Sequence, residues 1–148
     1  MPGPNFVLDK GYQLGASQYP KIFQLVKRTG TGAATTNPQV AVSSAAGEKC
    51  LGVCQEDVPA PSSALSGGKD YAALARIVNV RILGISRCIA TGVIAVGSRV
   101  ISNGDGTVVI AAAATANQNI IGIADGASAA TGDQIDVILT PGVQANNP

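Results

Sequence analysis

The sequence predicts an all-β fold. Short apolar runs with period-two alternation recur along the chain, Gly, Pro, Asn and Asp turn signals separate them, and helical periodicity is nearly absent. The apolar material is also of strand type. Hydrophobic residues make up 46% of the chain, yet there are only two Phe, three Tyr and no Trp. The core must therefore be built from Val, Ile, Leu and Ala, and the β-branched members of that set suit a pleated surface.

The elements follow in order. Residues 1–20 read as an N-terminal arm, punctuated by Pro2, Gly3, Pro4, Gly11, Gly15 and Pro20. Phe6, Tyr12 and Tyr19 would be wasted on a free tail, so the arm is expected to dock on its own domain or on a neighbour. A β-barrel domain is expected over 21–142. Lys21–Thr29 alternates loosely as a strand, "TGTGAATTNP" is a loop, and "QVAVSS" and "KCLGVCQEDV" are further strands. Pro59–Lys69 is a loop by composition. "YAALARI" has the make-up of a helical turn or two. Beyond it Val78, Val80 and Ile82 alternate with Asn79 and Arg81, which is strand periodicity. "VIAVGSRVISN" leads into "NGDG" (Asn103–Gly106), a hairpin signal because Asn, Asp and Gly tolerate positive φ. "TVVIAAAAT" continues as a strand. In "QIDVILT", Ile135, Val137 and Leu139 are expected inward, with Gln134, Asp136 and Ile138 on the other face. Residues 143–148 form a polar tail.

Some of the chain reads twice. "QVAVSSAAGEKCLGV" (Gln39–Val53) and "VVIAAAATANQNIIGI" (Val108–Ile123) share one order: strand, small-residue spacer, apolar pair, Gly, apolar. "GSRVISN" echoes "ASQYPKIFQL" in the same way. Two hairpin-rich halves packed into one barrel would write such a sequence. Ala/Val-rich low complexity would also imitate it, and both readings stand at this level.

Composition narrows the function. Charged residues are 13% of the chain, against about 25% in a typical soluble domain. The shortage fits a surface buried in an obligate assembly, since interface cores are poor in Lys, Glu and Asp; a neutral Gly/Ala/Thr/Ser surface is the alternative. Lys10, Lys21, Lys27 and Arg28 lie in a stretch without acids, whereas the chain beyond Arg99 has acids and no Lys or Arg. No like-charge run suits a nucleic-acid arm, and aromatics do not interleave with the basic residues. There is no His, which removes Ser–His and Cys–His pairs and histidine metal sites. Cys50, Cys54 and Cys88 are odd in number and read as buried structural thiols made in a reducing compartment. Glu56, Asp57, Asp133 and Asp136 read as solvated carboxylates. No phosphate-loop motif, signal-peptide pattern or 18-residue apolar window is present. No enzyme, cofactor, metal, nucleic-acid partner or membrane partner is expected.

The segment Ile77–Gly142 resembles the capsid decoration (cement, head-stabilising) proteins of tailed bacteriophages. The matching pieces are the strand Val78–Gly84, the hairpin Ile94–Val100, the spacer Ala111–Ala116, the strand Ile120–Ala124, the turn Ala129–Asp133 and the closing strand Ile135–Leu139. Gly84 stands two places from its commonest position in that pattern. The resemblance implies a small β-barrel or β-tulip-like domain of short antiparallel strands, usually a homotrimer. It would be made in the host cytoplasm and seated on the outer capsid surface, cementing junctions between major capsid protein subunits. The arm then supplies the expected capsid or neighbour contact through Phe6, Tyr12, Tyr19, Lys21, Lys27 and Arg28, because aromatics and Arg anchor interfaces. Two rivals are a head fibre or adhesin-type β module that binds a host-surface ligand, and an enzyme using one of the thiols.

Overall fold

The structure is a computed structural model that describes residues 7–29, 38–74, 76–112 and 118–143. It is all-β, as the alternation predicts. The strands are β1 (Leu8–Leu14), β2 (Leu25–Thr29), β3 (Gln39–Val42), β4 (Gly52–Cys54), β5 (Ile77–Ile89), β6 (Arg99–Ser102), β7 (Val108–Ile110), β8 (Asn119–Ala124) and β9 (Gln134–Val143). They form one nine-stranded mixed sheet in the order β1-β3-β2-β4-β5-β9-β8-β6-β7. An additional β1–β5 pairing closes the first five into a ring. In the second half a single parallel bridge, Ala90 to Val108, brings β7 back beside the end of β5 and leaves that ring partial.

Two features depart from short antiparallel strands. β5 has 13 residues and serves both rings, pairing with β1 and β4 through its first half and with β9 through its second. β1 and β3 run parallel. Parallel neighbours need a long crossover, and the passage from β1 to β3 through β2 supplies one.

Several expected strands are shorter than their apolar runs. The Lys21–Thr29 strand begins only at Leu25, because Gln24 N–H closes a turn on Lys21 C=O (3.1 Å) and Phe23 takes φ 69°. The expected helical turn is one turn at 71–74, where Asp70 Oδ1 accepts from the N–H groups of Ala72 and Ala73 (3.0 and 3.1 Å). β7 stops at Ile110, and some of the alanine spacer lies outside the described residues.

The duplication is structural. Each half has the same strand pairing, and backbone bonds recur at matching positions. Gly15 N–H donates to Val40 C=O and Thr91 N–H to Val108 C=O, both at 2.8 Å. Leu14 N–H reaches Arg76 C=O (2.9 Å) as Ala90 reaches Asp133 (2.7 Å). Cys54 N–H reaches Gln24 C=O (2.8 Å) as Ala124 reaches Ser98 (2.9 Å). Gly52 and Gly122 also match. A Cβ on either would stand 2.1 Å from a carbonyl oxygen of the facing strand, that of Arg81 or of Ile138. Both glycines are required by close backbone approach. β6 matches β2 itself, so the echo of "GSRVISN" belongs a few residues further on than the run "ASQYPKIFQL".

Two cores fill the halves. Tyr12, Leu14, Val26, Val40, Cys54, Val78 and Val80 pack inside the first ring. Cys88, Ile94, Val100, Val108, Ile121, Ile135, Val137 and Leu139 pack inside the second, joined by Leu25 and Val53 from β2 and β4. Ile135, Val137 and Leu139 are buried and Asp136 is exposed, as the alternation predicts. Residues 8–14 of the expected arm form β1, so this stretch is docked on its own domain.

Candidate interaction surface

The side chains with chemistry are sequestered. All three cysteines are free and buried. Burial pushes each thiol upward, and that of Cys88 to about 12, with the Asp136 charge adding to the effect. Among the described residues no cluster of His, Cys, Asp and Glu could hold a metal ion, and no helix is long and apolar enough to cross a membrane. The carboxylates support the backbone. Glu56 binds Arg76 (3.0 Å) and accepts from Asn79 N–H (3.1 Å), and Asp57 accepts from Ile22 N–H (2.8 Å). Asp133 accepts from the N–H groups of Ala129 and Ala130 (2.8 and 2.9 Å), which lower its pKa.

The six expected contact residues divide. Phe6 lies outside the described residues. Tyr12 is a core residue, and Lys10 places its ammonium 5.5 Å from the centre of its ring. Tyr19 is half-buried and donates its hydroxyl to Asp70 Oδ1 (3.0 Å). Lys27 is paired with Glu48 (2.8 Å). Lys21 is exposed, and so is Arg28, which lines an open cavity of about 320 Å³ with Lys49, Cys50 and Leu51. Tyr12, Tyr19 and Lys27 are thus engaged within the chain, while Lys21 and Arg28 face solvent.

A different surface emerges on the outside of the second ring. Ile85 of β5 stands opposite Ile138 of β9, and Ile138 stands opposite Ile123 of β8. The three are 45%, 38% and 39% exposed. They form one apolar row across three adjacent strands. Beyond Ile123 the row ends at Arg99 of β6. Two residues along β5 and β9 lie Arg87 and Asp136, half-exposed and 3.8 Å apart. The signal for this row was present in the alternation, which already puts Ile138 on the outward face with Asp136. Its continuation onto Ile85 and Ile123 required the strand order.

No family model matches the chain, and no curated protein does. A solved structure does. The crystal structure of the head fibre gp8.5 N base in bacteriophage phi29 superposes with a TM-score of 0.60. The match covers 90% of this chain and 95% of that chain at 16% identity. A likeness at this identity is one of fold, and its span takes in both rings. The similar structure belongs to a head fibre, whereas the sequence motifs resemble the decoration proteins.

Proposed function

We propose that this chain is a structural, non-catalytic protein of a bacteriophage virion that sits on the outer surface of the head as the base module of a head fibre. The observation that carries this reading is the fold match to the phi29 head fibre base over nearly the whole of both chains. The buried, upward-shifted thiols and the backbone-bound carboxylates fit it, since neither group is placed to react. The cement reading is the second. It rests on the decoration-protein motifs between Ile77 and Gly142, and it differs in what the outer end of the protein does. A fibre base carries something outward, whereas a cement protein spans capsid subunits.

The head contact in this reading lies with the start of the chain: Phe6 and its neighbours, with Lys10, Lys21 and Arg28. Truncation must spare β1, because Tyr12 and Leu14 are buried and the strand closes the first ring. Purified full-length chain and a variant lacking residues 1–6 would be mixed with heads of the parent phage that lack this protein, then pelleted. The full chain should co-sediment and the truncated chain should bind more weakly. A full-length chain that stays in the supernatant would reject the head reading. Equal binding by both would move the contact elsewhere on the barrel. Cross-links spanning two major capsid subunits would favour cementing over a fibre base.

A further inference from the structure

The matching halves differ at one corner, where the end of β2 or β6 meets the residues before β4 or β8. Arg28 stands opposite Val40 as Ser102 stands opposite Val108. Lys49 and Asn119 each precede a matched glycine, Gly52 or Gly122, by the same spacing. Arg28 and Lys49 of the first ring therefore correspond to Ser102 and Asn119 of the second. In the second ring the corner is neutral, and the chain fills it itself. Ser102 is completely buried with its hydroxyl against that of Ser43. Asn119 Nδ2 donates to Gly47 C=O (2.9 Å). In the first ring the corner is open. Arg28 and Lys49 are exposed and line one cavity of about 320 Å³, with Cys50 and Leu51 as its apolar wall. Lys27, Arg76, Arg81 and Arg87 each have a carboxylate between 2.8 and 3.8 Å away. Among the described residues Arg28 and Lys49 have none.

We infer that the Arg28–Lys49 cavity binds a carboxylate of a protein partner, an acidic side chain on the surface of the head. The duplicate corner selects an acceptor. In the second ring the Ser102 hydroxyl and the Asn119 amide both meet oxygens that the chain supplies, whereas in the first ring no such oxygen is supplied among the described residues. Charge selects an anionic acceptor, because both donors at the open corner are full cations. A guanidinium holds a carboxylate through two parallel N–H···O bonds, and an ammonium adds a further donor without a fixed plane. The wall selects a carboxylate on an aliphatic stem over a free inorganic ion. Cys50 is buried and Leu51 half-buried, so methylenes laid against them leave water, and an apolar wall strengthens the attraction between charges at its edge. Naming the head as the source rests on the reading above; the binding chemistry of the cavity does not.

The test has two arms. In the first, sodium glutarate, which presents the end of a glutamate side chain, is titrated into the isotopically labelled full chain at constant ionic strength and followed by nuclear magnetic resonance. The amide signals of Lys49, Cys50 and Leu51 and the guanidinium signal of Arg28 should shift and saturate. The double variant Arg28→Gln/Lys49→Gln should lose the amide shifts, and Lys69→Gln, at another exposed base, should keep them. All three substituted residues are exposed, so the fold is retained. Signals that move no further than in sodium chloride, or equally in the double variant, would overturn the site. Tighter saturation by inorganic phosphate than by glutarate would overturn the carboxylate assignment. Shifts of the same amides on concentrating the chain alone would put a second copy's carboxylate in the cavity and overturn the head as its source. In the second arm, Arg28→Glu/Lys49→Glu should pellet with heads at least about tenfold more weakly than the unaltered chain, and Lys69→Glu should pellet as well as it. Equal pelleting of the double reversal would overturn the head as the source. An unaltered chain that stays in the supernatant rejects the head reading, and the glutarate titration still decides the cavity.

Discussion

Replacing Gly122 by alanine should force β8 away from β9 at the centre of the second ring. The new Cβ would stand 2.1 Å from Ile138 C=O oxygen and 2.8 Å from Val137 Cγ1. Carbon–oxygen contacts between strands normally sit near about 3.3–3.6 Å. The backbones of β8 and β9 must therefore separate locally by about 1 Å. Ladder bonds near about 2.9 Å would stretch beyond useful length. Losing two, at about 1 kcal/mol each, and misfitting the core by about 2 kcal/mol gives a destabilisation of about 4 kcal/mol. For a chain of this length that lowers Tm by about 10 °C. Gly52→Ala should behave alike, since its Cβ would meet Arg81 C=O oxygen at the same 2.1 Å. Gly132→Ala is the control. Gly132 has φ +96° and nothing within 4 Å of its Cβ position, so only backbone strain of about 1–2 kcal/mol is expected. Denaturant melts of the three variants at one protein concentration would measure the differences. A Gly122→Ala protein no less stable than Gly132→Ala would refute the close-approach argument.

Other outcomes follow from the same geometry. Val137→Ala should cost about 1–3 kcal/mol because Val137 is fully buried, whereas Asp136→Ala should cost under about 0.5 kcal/mol because its ion pair with Arg87 is long and half-exposed; equal costs in chemical denaturation would contradict the register of β9. Native protein should resist a thiol-labelling reagent at neutral pH and take up three equivalents only when unfolded, since Cys50, Cys54 and Cys88 are buried and shifted upward; rapid labelling of one native cysteine would revive the thiol-enzyme rival. Burial would raise the Glu48 carboxyl, but hydrogen bonds from Lys27, Ser43, Ala45 and Ser44 outweigh it and hold the pKa at about 2, below the ordinary 4.5. A folded-state pKa below the unfolded one gives stability that is complete above the unfolded value and lost as pH falls from about 4.5 to about 2. Glu48→Gln should flatten the decline of Tm over that window, and an unchanged slope would mean that the Lys27–Glu48 pair does not contribute.

Much of this protein is determined locally and is therefore legible in the chain alone. Alternation fixes which face of a strand is inward, because successive side chains point to opposite sides. That placed Ile135, Val137 and Leu139 in the core and Asp136 outside. Alternating short runs between turn residues pointed to the fold class, and buried thiols followed from the character of free Cys as a small hydrophobe. The duplication was visible as an order of strand, spacer and glycine, though composition could have produced it by chance. Matching backbone bonds in the two halves decided it. What the chain could not show depends on which strands become neighbours. The long β5 is one continuous stretch without a turn signal of Pro or Asn-Gly type in sequence, and only its change of partner from β1 to β9 makes it the shared wall of two rings. Tyr12, an aromatic in a stretch expected to dock on its own domain or on a neighbour, was read as a contact for a partner, yet β1 closes the first ring and turns the Tyr12 ring into the core. The outward isoleucines are scattered over three strands, and pairing across the sheet is what gathers them into a surface. Side-chain direction is set by the residue's own backbone, but neighbourhood across a sheet is set by contacts distant in sequence, and those exist only once the chain has folded.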